Sequence, residues 1–214
     1  MPDTSFPNDF DVPMTPTMRL SKYLKLKLNK STAVFIDASN LSHSLRSLSI
    51  LVDFAALRDL INGEGDILRI NFYHARFPAE VEDPMVKRID WLEYNGFNIV
   101  TKLIKEQITV QGNRRIKGNM DIEIAVDMME MADHVEQIVL FSGDGDFRRL
   151  IEAVQRKGVR VIVVSTREGS SPTAADELVR LADYYVDLSA IADEIRKKSD
   201  KIQPRRSSPN YAEA

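Results

Sequence analysis

The sequence of 214 residues contains no cysteine. Without cysteine the chain cannot form disulfides, thiolate nucleophiles or cysteine-held zinc and iron–sulfur sites, and such sequences are typical of the reducing cytoplasm, where we expect the protein. Any bound metal must therefore have oxygen or histidine ligands. The sequence also lacks a run of about 18 apolar residues and a basic-then-apolar leader, so we expect neither a membrane partner nor a secretory signal.

Histidine is scarce as well, with three residues in the chain. His43, His74 and His134 stand in no spacing typical of a Ser-His-Asp triad, so nothing local predicts nucleophilic serine catalysis. The sequence has no glycine-rich loop ending in Lys-Ser/Thr, and its segment SGDGDF (142–147) lacks the third glycine of a dinucleotide fingerprint. Phosphoryl transfer from ATP is therefore not predicted.

Short apolar segments alternate with segments of helical periodicity along most of the chain. The predicted strands cover residues 32–36, 67–73, 97–104, 136–141 and 159–164, with a short edge strand at 184–188. Helical spacing of apolar residues fills the intervals, and a late helix is predicted to open at Ser171 and Pro172. This alternation predicts an α/β fold with a central, mostly parallel sheet and helices on both faces.

A small β-hairpin insertion is predicted from residues 107–110 and 114–116, joined by the turn residues Gly112 and Asn113. Residues 1–30 contain prolines and several basic residues without an apolar period, which predicts a flexible basic arm. Residues 31–196 form the predicted folded domain, and residues 197–214 a disordered tail.

Four acidic residues stand at the ends of predicted elements. Asp37 and Asp144 each follow a buried strand, Asp146 comes two residues later, and Asp121 opens a helix after Gly118. The carboxyl ends of parallel strands share one edge of a sheet, so we expect these side chains to gather there. Two carboxylates about 4 Å apart repel by roughly 4 kcal/mol at an effective dielectric constant near 20, so such a group needs a cation or raised pKa values. Oxygen ligands without histidine or cysteine favour Mg²⁺ or Mn²⁺.

Each of these acidic residues also has an ordinary structural interpretation. Asp37 can cap the helix that follows the first strand, Asp144 can favour a turn, and Asp146 can cap a helix beginning at Phe147. The combination is what favours a metal site, and metal sites of this kind occur where phosphodiesters are hydrolysed. The residues therefore favour a nuclease over an ordinary calcium site.

Helical periodicity separates Asp121 from Asp127, which share one predicted helix. At about 100° per residue, Asp121 falls between Ala125 and Met128 on the apolar side, whereas Asp127 falls on the polar side. An inward carboxylate loses water and is best explained by a cation, whereas an outward one is solvated. The pattern therefore predicts a metal role for Asp121 and none for Asp127.

Several ordered motifs resemble those of one known family. They are FIDASNL (35–41), DWLEYNG (90–96), KGNMD (117–121), SGDGDF (142–147), GVRV (158–161) and ADEL (175–178). With these motifs the chain resembles, over about residues 32–190, the NYN domains and most closely their LabA-like group, within the PIN-like metal-dependent ribonucleases. The resemblance implies a three-layer PIN-like fold.

It also implies a site, with Mg²⁺ or Mn²⁺ held by Asp37, Asp121, Asp144 and Asp146 and a polar role for Asn40. On this basis we expect a metal-dependent endoribonuclease in which a metal-activated water cleaves RNA phosphodiesters and all five residues are catalytic. The alternative is a catalytically silent RNA-binding or regulatory interaction module of the same fold.

Binding of RNA, single-stranded or structured, needs a local basic surface, because the formal net charge of the chain is −3. The cations that precede Asp121 predict this surface, and the alternative is that they only solvate an exposed hairpin. They are Lys102, Lys105, Arg114, Arg115 and Lys117. The sequence leaves open whether the chain forms a homo-oligomer.

Overall fold

The structure is a computed structural model that describes residues 30–62, 66–76, 86–103, 105–108, 114–117 and 119–197, with the side chains of 86–87, 105–108 and 114–117 excepted. The predicted arm up to residue 29 and the predicted tail from residue 198 lie outside the described residues, so their disorder stays a prediction. Within these described ranges, no helix combines the length and the apolar character needed to cross a bilayer.

A six-stranded parallel sheet forms the centre of the molecule, in the order β3-β2-β1-β6-β7-β8. Its strands are β1 (Thr32–Asp37), β2 (Ile67–Arg76), β3 (Phe97–Leu103), β6 (Gln137–Phe141), β7 (Arg160–Ser165) and β8 (Tyr184–Asp187). The central strands are apolar on both faces, as β1 and β6 are buried at every position. The predicted α/β fold is confirmed.

Helices cover both faces of the sheet, which makes three layers. The helices are α1 (Ala38–Ser47), α2 (Phe54–Asn62), α3 (Val86–Tyr94), α4 (Asp121–Met131), α5 (Arg148–Arg156), α6 (Asp176–Leu181) and α7 (Ala192–Ile195). On one face α1, α2, α3 and α7 pack on a core that includes Ile36 and Phe141. On the other face α4, α5 and α6 pack on a core that includes Phe35 and Leu140. Alternate residues of each strand therefore enter different cores.

The predicted β-hairpin forms, but its register differs from the prediction. Strands β4 (Lys105–Ile108) and β5 (Arg114–Lys117) are antiparallel, and Ile108 pairs with Arg114. A two-residue turn at Gly112 and Asn113 would instead have paired residue 111 with Arg114. The observed register leaves residues 109–113 between the strands, outside the described residues. Turn chemistry alone therefore predicted the wrong register.

The segment before α6 corrects a second prediction. The helix begins at Asp176 rather than at Ser171, because Ser170 and Ser171 donate their backbone N–H groups to Ser47 of α1. Thr173 in turn donates its backbone N–H to the carbonyl of Thr166 at 2.9 Å. These bonds hold residues 170–175, the cover segment, in an irregular conformation against Ser165 and Gly143 at the carboxyl end of the sheet.

The C-terminal part of the domain was missed at the sequence level. Leu188–Ile191 forms a short 3₁₀ helix that leads into α7, and Ile191 and Ile195 are fully buried. The backbone N–H of Asp53 donates to the carbonyl of Ile195 at 2.7 Å, which ties this end to the start of α2. A helix of four residues has no measurable period, and only the tertiary contacts stabilise it.

Candidate metal centre

The candidate centre lies where the strand order of the sheet reverses. From β1 the chain crosses to β2 on one side, whereas β6 pairs on the other side, with Ile36 opposite Phe141. In open parallel sheets the crevice beyond the carboxyl ends at such a reversal is where ligands bind. Asp37 ends β1, and the segment 142–146 follows β6, so both border this crevice.

Asp37 is the most deeply placed carboxylate of the centre, with 7% of its surface exposed. Its Oδ1 atom accepts hydrogen bonds from the backbone N–H groups of Ser39 at 2.9 Å and Asn40 at 3.1 Å. This capping confirms the ordinary interpretation of Asp37 without removing its charge from the crevice. Burial raises its pKa, the two backbone hydrogen bonds and the Ser142 hydroxyl lower it, and Asp144 adds to the increase.

Ser142 connects the two strand ends, a role that the sequence pattern did not reveal. Its hydroxyl lies 3.4 Å from Oδ2 of Asp37, to which it donates, and its Oγ atom accepts the backbone N–H of Asp144 at 3.3 Å. Ser142 is 1% exposed. The available signal in the sequence was a small hydroxyl residue directly after a buried strand.

Asn40 has a more specific contact than the predicted polar role. Its Oδ1 atom accepts the backbone N–H of Gly143 at 2.9 Å, which links α1 to the segment after β6. The side-chain carbonyl is therefore engaged, and the Nδ2 amide is the group with which Asn40 can face a water or a phosphate.

Asp144 rather than Asp146 caps the turn after β6. Its Oδ1 atom accepts the backbone N–H of Asp146 at 3.0 Å and so begins the 3₁₀ helix Gly145–Phe147, from which α5 continues. The predicted cap of a helix by Asp146 is wrong, because α5 has no side-chain cap. The Asp146 side chain is exposed and makes no capping hydrogen bond.

Asp121 stands at the first position of α4 and is half-buried. Its Oδ2 atom accepts a hydrogen bond of 2.6 Å from Nδ2 of Asn119, a residue that belongs to the KGNMD motif but was given no role from sequence. Burial raises the pKa of Asp121, and the carboxylates of Asp144, Asp37 and Asp146 raise it further. Desolvation and repulsion from the neighbouring carboxylates therefore both raise the pKa of Asp121.

The carboxylates of three residues form a compact oxygen cluster. Among the described residues, Asp121, Asp144 and Asp146 each offer a carboxylate oxygen, and these oxygens lie within 4.8 Å of one another. Oxygens around one Mg²⁺ lie about 2.1 Å from the ion, so neighbouring ligands are about 3 Å apart and opposite ligands about 4.2 Å. The cluster therefore fits a hard divalent cation after small side-chain movements. Asp37 is not part of this oxygen group, but its charge acts on Asp121.

Asp127 is not simply solvated, which corrects the prediction from helical periodicity. It is half-buried, and its Oδ2 atom accepts a hydrogen bond of 2.8 Å from the hydroxyl of Tyr73, a fully buried residue of β2. Burial raises the pKa of Tyr73, as does the hydrogen bond to Asp127, so the phenol stays protonated as the donor. Helical periodicity placed Asp127 away from the apolar side of the helix, but it could not reveal the polar partner on the sheet.

Lys102, on β3, is paired with Glu123 of α4, with 2.8 Å between Nζ and Oε1. Its charge is therefore partly compensated within the protein. The side chains of Lys105, Arg114, Arg115 and Lys117 lie outside the described residues, although their backbones form the hairpin. The predicted RNA-binding surface stays a prediction for all five cations.

This fold and acidic cluster place the chain in a defined class of proteins. The NYN domain family matches residues 31–190, and the chain belongs to this family, which is of the PIN-like nuclease type. The family resemblance predicted from the motifs is confirmed.

Individual relatives agree with this assignment. The chain is 33% identical over 186 residues to the low amplitude and bright protein LabA of Synechococcus elongatus, which covers 85% of this chain and 96% of LabA. A crystal structure of a protein of unknown function from Vibrio parahaemolyticus superposes with a TM-score of 0.64 at 22% identity, covering 78% of this chain and 96% of that chain. The second similarity supports the fold alone.

Proposed function

We propose that the protein is a metal-dependent endoribonuclease. The observation that carries the proposal is the cluster of Asp121, Asp144 and Asp146 at the strand-order reversal of a chain that belongs to a nuclease-type family. Proteins of this type usually use divalent metals and act on RNA.

In the proposed site Asp121, Asp144 and Asp146 hold Mg²⁺ or Mn²⁺, and Asp37 supplies further negative charge. The bound cation would polarise the scissile phosphate and lower the pKa of the attacking water. Burial and the neighbouring carboxylates raise the pKa of Asp121 in the absence of a cation, and a bound cation would offset this repulsion. The hydrogen-bonded turn that starts at Asp144 holds the backbones of Asp144 and Asp146 in place, so this segment need not become ordered when a metal binds.

Asn40 has a supporting role in this proposal. Its carbonyl holds Gly143, and its amide donates to the attacking water or to a phosphate oxygen. Approach of the RNA backbone to an acidic crevice requires nearby cations, which we assign to the hairpin and its neighbour Lys102. The pairing of Lys102 with Glu123 makes the hairpin arginines the stronger candidates.

Cleavage of a circular RNA tests the proposal, because an exonuclease cannot act on a molecule without ends. The purified chain should linearise single-stranded or structured circles with Mn²⁺ or Mg²⁺ and not with EDTA. The variants Asp121→Asn and Asp144→Asn should lose this activity, whereas Asp127→Asn should retain most of it.

Two results would reject the proposal. Cleavage that persists in EDTA or in Asp121→Asn would indicate a different site or a contaminant. No cleavage with either metal, combined with retained RNA binding, would favour the silent RNA-binding module.

A further inference from the structure

Two polar contacts join one side of α4 to the sheet, and the proposed function gives neither a part in holding the metal. The hydroxyl of Tyr73 on β2 donates to Asp127, and the ammonium of Lys102 on β3 donates to Glu123, each at 2.8 Å. Lys102 pairs in register with Ala75, which is two residues beyond Tyr73. The two contacts therefore come from adjacent strands, at positions two residues apart along the strand direction.

The spacing of these contacts matches on the helix and on the sheet. Glu123 and Asp127 are four residues apart, which is about 6 Å along a helix and about 40° around it. Two residues along a strand span about 6.6 Å. Both contacts therefore form together in the observed rotational setting of α4, and a rotation away from it would strain or break them.

Apolar packing alone defines that setting less strictly. The buried face of α4 consists of Ile124 and Met128, and Met120 precedes it. Methionine side chains are flexible and adapt to small shifts of a helix. A carboxylate oxygen lies roughly 6 Å from the helix axis, so a rotation of about 10° moves it by about 1 Å. Metal–ligand distances vary by only about 0.2 Å, so the side chains of the site would have to compensate for such a shift.

We propose that Tyr73 and Lys102 are positioning residues that fix the rotation of α4 about its axis. They act through Asp127 and Glu123. The consequence is that Asp121, on a different side of the same helix, faces the turn that carries Asp144. The purpose that we assign to this restraint rests on the proposed metal centre. The restraint itself does not depend on a bound cation.

The environment of Glu123 also supports a structural role for its contact with Lys102. The Oε2 atom of Glu123 is shielded from solvent and has no hydrogen-bond partner within the described part of the chain. Loss of Lys102 would leave this carboxylate without its cation, which favours a shift of Glu123 towards water.

Calorimetric titration with Mn²⁺ tests the link to the metal centre. Tyr73→Phe and Asp127→Leu remove the contact and should weaken Mn²⁺ affinity by about 10-fold or more, as loss of an outer-shell partner does. Asp127→Asn keeps an acceptor oxygen for the phenol and should stay within about twofold of wild type, since only removal of the hydrogen bond carries this penalty. Lys102→Met should behave like Tyr73→Phe.

A matched control separates positioning from general stability. The hydroxyl of Tyr185 on β8, two strands from β6, lies 3.1 Å from two acceptors, a carboxylate oxygen of Asp187 and the carbonyl of Ser165, so it is also a phenol that donates to an aspartate. Tyr185→Phe should lower the melting temperature without changing Mn²⁺ affinity. Equal Mn²⁺ affinities for Tyr73→Phe and Tyr185→Phe would overturn the positioning role, as would equal damage by Asp127→Asn and Asp127→Leu.

A metal-free measurement tests the restraint itself. Because the chain lacks cysteine, spin labels can be placed at Val126→Cys on α4 and Arg149→Cys on α5, both exposed positions. The distance distribution between the labels should broaden or shift with Tyr73→Phe and remain unchanged with Asp127→Asn. Unchanged distances in Tyr73→Phe would overturn the restraint. A wild-type chain that binds no Mn²⁺ would instead reject the metal centre and the purpose assigned to these contacts.

Discussion

Replacement of Asp121 by asparagine is the change with the most distinctive expected outcome, because it should abolish metal binding and stabilise the metal-free protein. Asparagine has nearly the same shape and keeps an oxygen that can accept the hydrogen bond from Asn119. What it removes is one negative charge from the cluster with Asp144 and Asp146. An ordinary core substitution would destabilise the protein instead.

The expected gain follows from the distances in the cluster. Two full charges at 4.8 Å, the upper limit of the oxygen separations, repel by about 1 kcal/mol in water and about 3.5 kcal/mol at an effective dielectric constant near 20. Asp144 is half-buried and Asp146 is exposed, so solvent screens the second interaction strongly. We expect a net gain of about 1 to 2 kcal/mol, or about 2 to 8 °C in melting temperature for a domain of this size.

Thermal unfolding with EDTA and with Mn²⁺ measures both effects in one experiment. Wild type should be stabilised by about 2.7 kcal/mol when the free Mn²⁺ concentration is 100 times the dissociation constant. Asp121→Asn should melt at a higher temperature than wild type in EDTA and should show no shift with Mn²⁺. The two curves would then cross as metal is added.

The matched variant is Asp127→Asn, on the same helix and with the same change of charge. It should respond to Mn²⁺ as wild type does, because Tyr73 keeps its acceptor and Asp127 is not part of the oxygen cluster. A metal response retained in Asp121→Asn, or lost only in Asp127→Asn, would refute the assignment of Asp121. A lower melting temperature of Asp121→Asn in EDTA would refute the argument from repulsion.

Three further changes test other parts of the site. Gly143→Ala should destabilise the protein by about 1 to 3 kcal/mol in denaturant titrations, because its Cβ would meet backbone atoms of the cover segment. Gly145→Ala should cost less, because its closest contact is the flexible carboxylate end of Glu177. Burial raises the pKa of Asp37 in the folded protein. Asp37 therefore contributes its full stabilisation of the metal-free protein below about pH 4, and this stabilisation is lost as the pH rises through the raised pKa. The melting temperature of Asp37→Asn should therefore depend less on pH than that of wild type. Charge reversal at Arg114 and Arg115 should weaken RNA binding and flatten its salt dependence in filter-binding assays, and unchanged affinity at low salt would remove these residues from the RNA-binding surface.

Local patterns in the sequence were sufficient to predict the layers of the fold and the acidic edge. Strands β1 and β6 are apolar throughout because both faces are covered, and this burial made their ends recognisable. The parallel arrangement then required that Asp37 and Asp144 meet at one edge of the sheet. These conclusions depend on periodicity and on element order, which a linear sequence contains.

The tertiary structure decided which polar atoms pair. The partner of Asp127 is 54 residues away, that of Asn40 is 103 residues away and that of Asp37 Oδ2 is 105 residues away. It also decided the hairpin register and the place of α7, for which turn residues and a four-residue helix carried too little information. A hydrogen bond depends on separations of a few tenths of an ångström, and these are set only when all layers of the fold pack together.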